Sequence, residues 1–343
     1  MDVLLFFECP CELSFEAFLV SRLDALANEL VQCPLDTLTE VGDRFRREQI
    51  LLDGGKELFF EAGCGSVEAY RLTARPGSKS PVRPGVWKCR ACRKQFTVTV
   101  GTIFEDSHIP LNKWLHAIHE LCASKKGKSA HQLHRTLGVT YKSAWFLAHR
   151  IRWAMTQPPL VQKLLGTVEV DEAYIGGKAR AGARRAKGQR GRSPEGNKVP
   201  VVVLVERQGK ARTMPVGRVT ARNLRGVIAD HVDPSAVLMT DDYGAYYGAG
   251  RGFAGHKTVS HSQGQYVQGD VHTNTAESYF ATLKRGITGI YHHVGKNHLH
   301  RYLGEFDFRY NTRKRQDGER TALAIQKAEG KRLMFKRPTG KQT

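Results

Sequence analysis

The spacing of apolar and polar positions changes along the chain, and each change marks a different kind of element. Residues 1–60 alternate apolar and acidic stretches, and within them only 15–31 carry the spacing of an amphipathic helix. Residues 64–102 are rich in Gly, Pro, Arg and aromatic side chains, with short β-like pieces such as 95–100, which predicts a small separate module. After Pro110, Trp114, Leu115, Ile118, Leu121 and Cys122 recur at helical spacing and give that segment one buried face. Ser129 is placed to cap a helix over 130–137, Gly138 to turn the chain, and Thr140 to cap a longer helix with a stripe of Ala144, Ala148, Ile151 and Met155. Short helix, glycine turn and longer helix make a helix-turn-helix outline. Lys142, His149, Arg150 and Arg152 lie off the stripe, where they are expected to face phosphates and base edges; the alternative is an ordinary helical hairpin with a solvated basic face.

Beyond Pro158 and Pro159 the pattern becomes that of strands, at 167–174, 199–206 and 212–219. A helix over 221–231 and a strand over 236–240 follow, then helices over 276–285 and 299–310. Strands, a helix and a further strand predict an α/β core. Between its first two strands, residues 176–198 hold Lys178, Arg180, Arg184, Arg185, Lys187, Arg190, Arg192 and Lys198 against Glu195 alone, interleaved with Gly. So many cations close together repel one another unless a polyanion lies against them, so this loop is expected to follow a DNA backbone, through Arg184, Arg185, Arg190 and Arg192 in particular.

Composition supports that partner. Among 343 residues, 53 Lys and Arg oppose 33 Asp and Glu, a net charge of +20. An excess of this size attracts polyanions. No apolar run approaches the roughly 18 residues that a membrane-spanning helix needs. The first residues are apolar but include Asp2 and Glu8 and lack a basic leading segment, so no secretory signal is expected and the protein is placed in the cytoplasm, at the nucleoid. In that reducing compartment the seven cysteines, an odd number, are expected to be thiols or metal ligands.

Three carboxylates stand where an α/β fold would bring them together. In the strand around Asp171, Val168 and Val170 share one face and Glu169 and Asp171 the other; a carboxylate in mid-strand needs a reason, and a metal ion supplies one. Asp241 follows the apolar strand 236–240 at its carboxyl end, where α/β sites gather, and Glu277 opens a helix that carries Lys284 on the same face two turns later. Phosphoryl transfer needs oxygen ligands for Mg²⁺ and an in-line nucleophile, and widely separated acids of this kind can hold two such ions; the alternative is that acids at strand ends are solvated or paired with Arg.

Val170-Asp-Glu-Ala-Tyr-Ile-Gly-Gly-Lys178, Thr240-Asp-Asp-Tyr-Gly-Ala-Tyr246 and His272-Thr-Asn-Thr-Ala-Glu-Ser-Tyr-Phe-Ala-Thr-Leu-Lys-Arg285 resemble bacterial insertion-sequence transposases of the zinc-ribbon, ISXO-like group. Trp87-Lys-Cys-Arg-Ala-Cys-Arg-Lys-Gln-Phe96 and the Thr-Val-Thr-Val-Gly-Thr102 after it resemble the same group. The likeness runs from about Cys64 to Asn311, and the 35 residues between Asp241 and Glu277 match a spacing familiar in DDE transposases and integrases. The resemblance implies an α/β RNase H-like catalytic domain, a mixed sheet flanked by helices, preceded by a small zinc-ribbon-like module and a helix-turn-helix segment. It implies DNA strand cleavage and transfer at element ends. Asp171, Asp241 and Glu277 would be ligands of Mg²⁺ or Mn²⁺, Lys284 a phosphate contact, and His272 and Asn274 supports behind them. Double-stranded DNA is the expected partner, bound by a homo-oligomer.

Relatives carry two Cys-x-x-Cys knuckles that suit tetrahedral zinc. Cys89 and Cys92 form the second here; in the first, Cys64 is present but Glu61 stands where its partner would be. Either a carboxylate or water completes a Zn²⁺ site with Cys64, Cys89 and Cys92, or these are buried or free thiols. The expected organisation is a divergent segment over 1–60, the ribbon-like module over 61–105, the helical DNA-binding region over 106–160, the catalytic domain over 161–315 and a basic tail over 316–343. Two rival functions share these features: a non-catalytic DNA-binding regulator derived from a transposase, and a metal-dependent nuclease that hydrolyses without joining.

Overall fold

The computed structural model describes residues 68–73, 82, 85–97, 99–156, 162–176, 198–260, 267, 269–328, 330–331 and 333–334. The helix expected at 15–31, Cys64 and the basic loop with Arg184, Arg185, Arg190 and Arg192 lie outside these residues. The chain divides into two compact units, residues 1–119 with 316–343, and residues 120–315.

In the first unit, β1 (Ala69–Arg71), β2 (Trp87–Cys89) and β3 (Gln95–Phe96) form an antiparallel sheet in that order, with Trp87 opposite Phe96. Helix α1 (Leu111–Ala123) begins just after Pro110, as the apolar spacing predicts, with Trp114, Leu115 and Ile118 buried. The segment expected to be a basic tail opens instead with a helix, Asp317–Gln326, which buries Ala322, Ala324 and Ile325.

The second unit opens with the last residues of α1, from Glu120 on, followed by α2 (Ala130–Leu137) and α3 (Tyr141–Met155), which the chain forms for the reasons its sequence suggests. Ser129 and Gln132 make a reciprocal capping box, Gly138 adopts a left-handed conformation at φ 59°, and the Thr140 hydroxyl accepts from the Ser143 amide.

A five-stranded sheet follows, built from β4 (Thr167–Ile175), β5 (Val199–Glu206), β6 (Ala211–Pro215), β7 (Val237–Asp241) and β8 (Gly255–Val259), in the order β6-β5-β4-β7-β8. β5 runs antiparallel to both β4 and β6, while β4, β7 and β8 are parallel. Period-two alternation sorts the side chains between two cores. On one face Ala173, Ile175, Val201, Val203 and Val205 pack on α5 (Asn274–Gly286) and α6 (Leu299–Asn311). On the other, Val168, Val170, Val202, Leu204 and Leu238 pack on α4 (Ala221–His231). A mixed sheet with helices on both faces is compatible with the RNase H-like domain that the resemblance implies. The Asp317–Gln326 helix is α7.

Strand β6 ends at Pro215, short of the expected 219, and β8 is an additional strand. Both are edge strands, where exposed polar residues blur the apolar signal that marks β4, β5 and β7.

Candidate active site

β4 and β7 run side by side in register, with Val168 beside Leu238 and Glu169 beside Met239. Two residues beyond that last pair stand Asp171 and Asp241. Since Val168, Val170 and Leu238 point into the α4 core, Glu169, Asp171 and Asp241 lie on the opposite face, that of α5. Glu277 is in the first turn of α5, where the helix dipole favours a negative side chain.

The three acids act on one another electrostatically. Asp171 is pushed from its ordinary value of 3.8 up to about 7, first by burial, then by the charge of Glu172, with Asp241 and Glu277 adding to it. The Glu172 amide, which donates to Asp171 Oδ1 at 2.8 Å, pulls the other way. The strongest neighbouring charges on Asp171 are thus all negative. Glu172 itself points to the α4 face, where Tyr246 donates to its Oε2 at 2.6 Å.

Asp241 and Asp242 have different surroundings. Asp241 Oδ1 accepts from the Tyr243 amide at 3.2 Å, which turns the chain just after β7. Asp242 Oδ2 accepts from the Ser260 hydroxyl at 2.9 Å, beyond the end of β8. Glu277 is exposed, with Thr273 Oγ1 3.5 Å from its Oε1, and Lys284 is exposed two turns further along α5, its Nζ 5.9 Å from the Phe280 ring centre. Asn274 is exposed at the start of α5. Among the described residues, no three His, Cys, Asp or Glu side chains are drawn into a ready-made metal cage.

Glu169, Arg207 and Thr275 have a larger part in this region than the sequence alone suggested. Glu169 is fully buried and binds Arg207 Nε at 2.8 Å and the hydroxyl of Thr275 at 2.9 Å through Oε1. Its Oε2 accepts from the amides of Thr275 and Ala276 at 2.8 and 3.1 Å. His272, expected to support the acids, has its Nδ1 3.3 Å from Glu169 Oε1. The one signal of this arrangement in the sequence is a second acid, Glu169, on the same face of a buried strand as Asp171.

The basic residues of α3 need correction. Lys142 is exposed at the start of the helix, next to Tyr141, whose ring stacks on His131 at 4.3 Å. Arg150, His149 and Arg152, expected to face outward, are buried. The apolar stripe is not the helix's only covered side, because beyond Leu147 every residue but the half-buried Trp153 is buried, and this half packs on α6. There Arg152 Nε binds Glu305 Oε2 at 2.6 Å, and Arg309 holds the other carboxylate oxygen. Arg150 lies with its guanidinium 5.5 Å from the Phe146 ring centre. His149 is brought down to about 2, first by burial and then by Arg152, so it is a neutral ring and no phosphate-binding cation.

In the first unit, Cys89 is buried and Cys92 half-buried on the turn between β2 and β3, and the Cys92 amide donates to Cys89 Sγ at 3.4 Å. Among the described residues, no helix is long and apolar enough to cross a membrane.

Residues 163–311, which include every strand of the mixed sheet, match the ISXO2-like transposase domain. The chain is 33% identical over 230 residues to an uncharacterized protein in transposable element ISH50 of Halobacterium salinarum, an alignment covering 64% of this chain and 76% of that protein. With the matched domain spanning β4 to α6 and the likeness to an insertion-element protein extending beyond it, the chain belongs to the ISXO2-like transposase family.

Proposed function

We propose that this transposase is of the DDE class, cleaving DNA at the ends of an insertion sequence and joining it to a target through Asp171, Asp241 and Glu277. The observation that supports this reading is the placement of these acids on one face of the sheet and the helix over it. Two stand at matching positions on adjacent parallel strands, the third is on the helix packed over that face, and Asp171 is raised by burial and Glu172 first, with Asp241 and Glu277 adding to it.

The donor set fits a hard divalent cation. Carboxylate oxygens are the ligands Mg²⁺ and Mn²⁺ take, and a group of like charges in a half-buried setting is stabilised by a cation. Bound there, a pair of such ions would supply activation of the attacking oxygen and stabilisation of the leaving one. The chain's own residues do the rest. Asp171 and Asp241 are fixed by their strands and by the amides of Glu172 and Tyr243, so their positions are set before substrate arrives. Lys284 lies exposed on the helix of Glu277, available to a DNA phosphate, and Lys142 with Tyr141 offers a second contact at the exposed start of α3. The helical pair serves as the helix-turn-helix through this end of α3, the end that usually reaches base edges.

Cys89 and Cys92 would provide two thiolates of a structural zinc in a ribbon formed by β1 to β3, and Cys64 a third. The Cys92 amide already donates to the Cys89 sulfur, which holds the two residues in one tight turn.

Labelled element ends incubated with a plasmid target and Mg²⁺ test the proposal. Strand transfer products that disappear in Asp171→Asn, with DNA binding retained, are expected. Hydrolysis without joined products would make the protein a nuclease, and binding without either a regulator.

A further inference from the structure

We propose that Glu169 is a positioning residue, which fastens the first turn of α5 to the middle of β4 and so sets where Glu277 stands relative to Asp171 and Asp241. This rests on the reading of those three acids as metal ligands.

The first amides of a helix have no partner within it and need one from elsewhere. In α5 the N-cap residue, Thr273, makes no side-chain capping hydrogen bond. Glu169 takes that place from a strand 106 positions earlier in the chain than Thr275, accepting from the Thr275 and Ala276 amides with one oxygen and from the Thr275 hydroxyl with the other. The residue after Ala276 is Glu277, so the anchored amide and the third acid are neighbours. Arg207 extends the clamp: its Nε binds Glu169, while its two terminal nitrogens donate to the Asp270 and His272 carbonyls at 2.7 and 3.1 Å. One carboxylate and one guanidinium thereby hold the approach to α5 as well as its first turn.

Glu169 also lies two residues before Asp171 on the same face of the same strand. The strand that presents the first acid therefore grips the helix that presents the third, through a side chain with no exposed surface. A carboxylate is costly to bury unless it is fully paired, and here the donors of Arg207, Thr275 and Ala276, with the His272 ring nearby, surround it, so its place in the fold is to fix geometry. Residues that orient metal ligands in this way change metal affinity when altered, even without touching the ion.

Glu169→Gln keeps the side chain's shape and one acceptor for the two amides but removes the charge that pairs with Arg207. Thr275→Val removes only the hydroxyl donor, and Thr275→Ser keeps it. Mn²⁺ binding to the full-length protein, followed by the electron paramagnetic resonance of the free ion, reports the site without any turnover. In Glu169→Gln, Mn²⁺ affinity is expected to fall about tenfold or more while binding to element ends is retained, with a smaller loss in Thr275→Val and none in Thr275→Ser. A Glu169→Gln isotherm that overlays the wild type overturns the positioning role, even if its thermal midpoint drops, because a purely structural part moves stability alone. Where Glu169→Gln does not fold, equal isotherms for the Val and Ser variants of Thr275 overturn it. Wild-type Mn²⁺ binding that Asp171→Asn leaves untouched overturns the metal reading of the three acids, and the positioning role with it.

Discussion

Replacing Arg152 by Met tests whether the far half of α3 belongs to the interior or to a DNA-facing surface. Arg152 is 2% exposed and Glu305 0%, with 2.6 Å between Nε and Oε2. The guanidinium also lies 4.1 Å from the Tyr302 ring centre and 5.1 Å from that of Tyr291. Methionine fills the space but leaves Glu305 with Arg309 as its one charged partner among those described. Breaking a buried pair costs about 3–5 kcal/mol, and the retained Arg309 and Tyr291 contacts place this loss near the lower end. With a urea slope of about 2–3 kcal/mol per molar, a loss of that size moves the unfolding midpoint down by roughly 1 M.

DNA binding should keep its salt dependence, because no phosphate contact has been removed. Lys142→Ala should do the opposite, leaving stability within about 0.5 kcal/mol and flattening the salt slope by about one ion. An unmoved midpoint together with a flattened slope in Arg152→Met would refute the interior assignment. Acid provides a second check. Burial works against the Glu305 carboxylate, but Arg309 and Arg152 outweigh it and bring it from 4.5 down to about 2. Its contribution is therefore complete above about pH 4.5 and is lost as pH falls through about 2. An acid transition of the wild type between those values that Arg152→Met shifts upward is the expected result.

Gly286→Ala should lower stability by about 1–3 kcal/mol, since overpacking is costly; its Cβ would run into the Phe306 ring and lie 2.9 Å from the Lys126 carbonyl oxygen, and an unchanged unfolding midpoint would mean that α5 and α6 are not in this close contact. Cys89→Ser should release zinc and loosen the ribbon while sparing the mixed-sheet unit; freshly purified wild type without zinc, by elemental analysis, would refute the metal there. Asp241→Asn should abolish Mg²⁺-dependent cleavage with DNA binding retained, and Asp242→Asn, whose parent side chain is engaged by Ser260, should leave measurable cleavage; the reverse pattern in a gel assay would exchange the two assignments.

What the sequence disclosed depends on how local the determining interaction is. The caps at Ser129 and Thr140 and the turn at Gly138 act within a few residues, and all three appear as their residue types suggest. β5 was legible because it is buried on both faces and apolar almost throughout, and β4 because Val168 and Val170 alternate with acids in a strand that is largely covered. Arg152 was misplaced because a single apolar stripe describes a helix covered on one side, and what covers the side of α3 that carries Arg152 is α6, some 150 residues away in the chain; Arg150 is buried as well, beside Phe146. The Asp317–Gln326 helix was hidden for a different reason. Its apolar residues, Ala322 to Ile325, stand in one unbroken run and not at helical spacing, which gives little amphipathic signal beside a strongly basic flank.

The proposed active site shows the same limit in a single strand. The alternation of Val168 and Val170 against Glu169 and Asp171 fixes which face each side chain takes, and a slip of one residue would bury both acids in the α4 core. Alternation cannot say what either acid meets there, because their partners come from β7, the turn after β5 and the start of α5. Asp171 meets the charges of Asp241 and Glu277, whereas Glu169 meets amides, a hydroxyl and a guanidinium. Two acids of like chemistry, two residues apart on one face, therefore have opposite electrostatic surroundings. The acid among negative neighbours is the one suited to gain a cation, and the one surrounded by donors is suited to hold a helix in place.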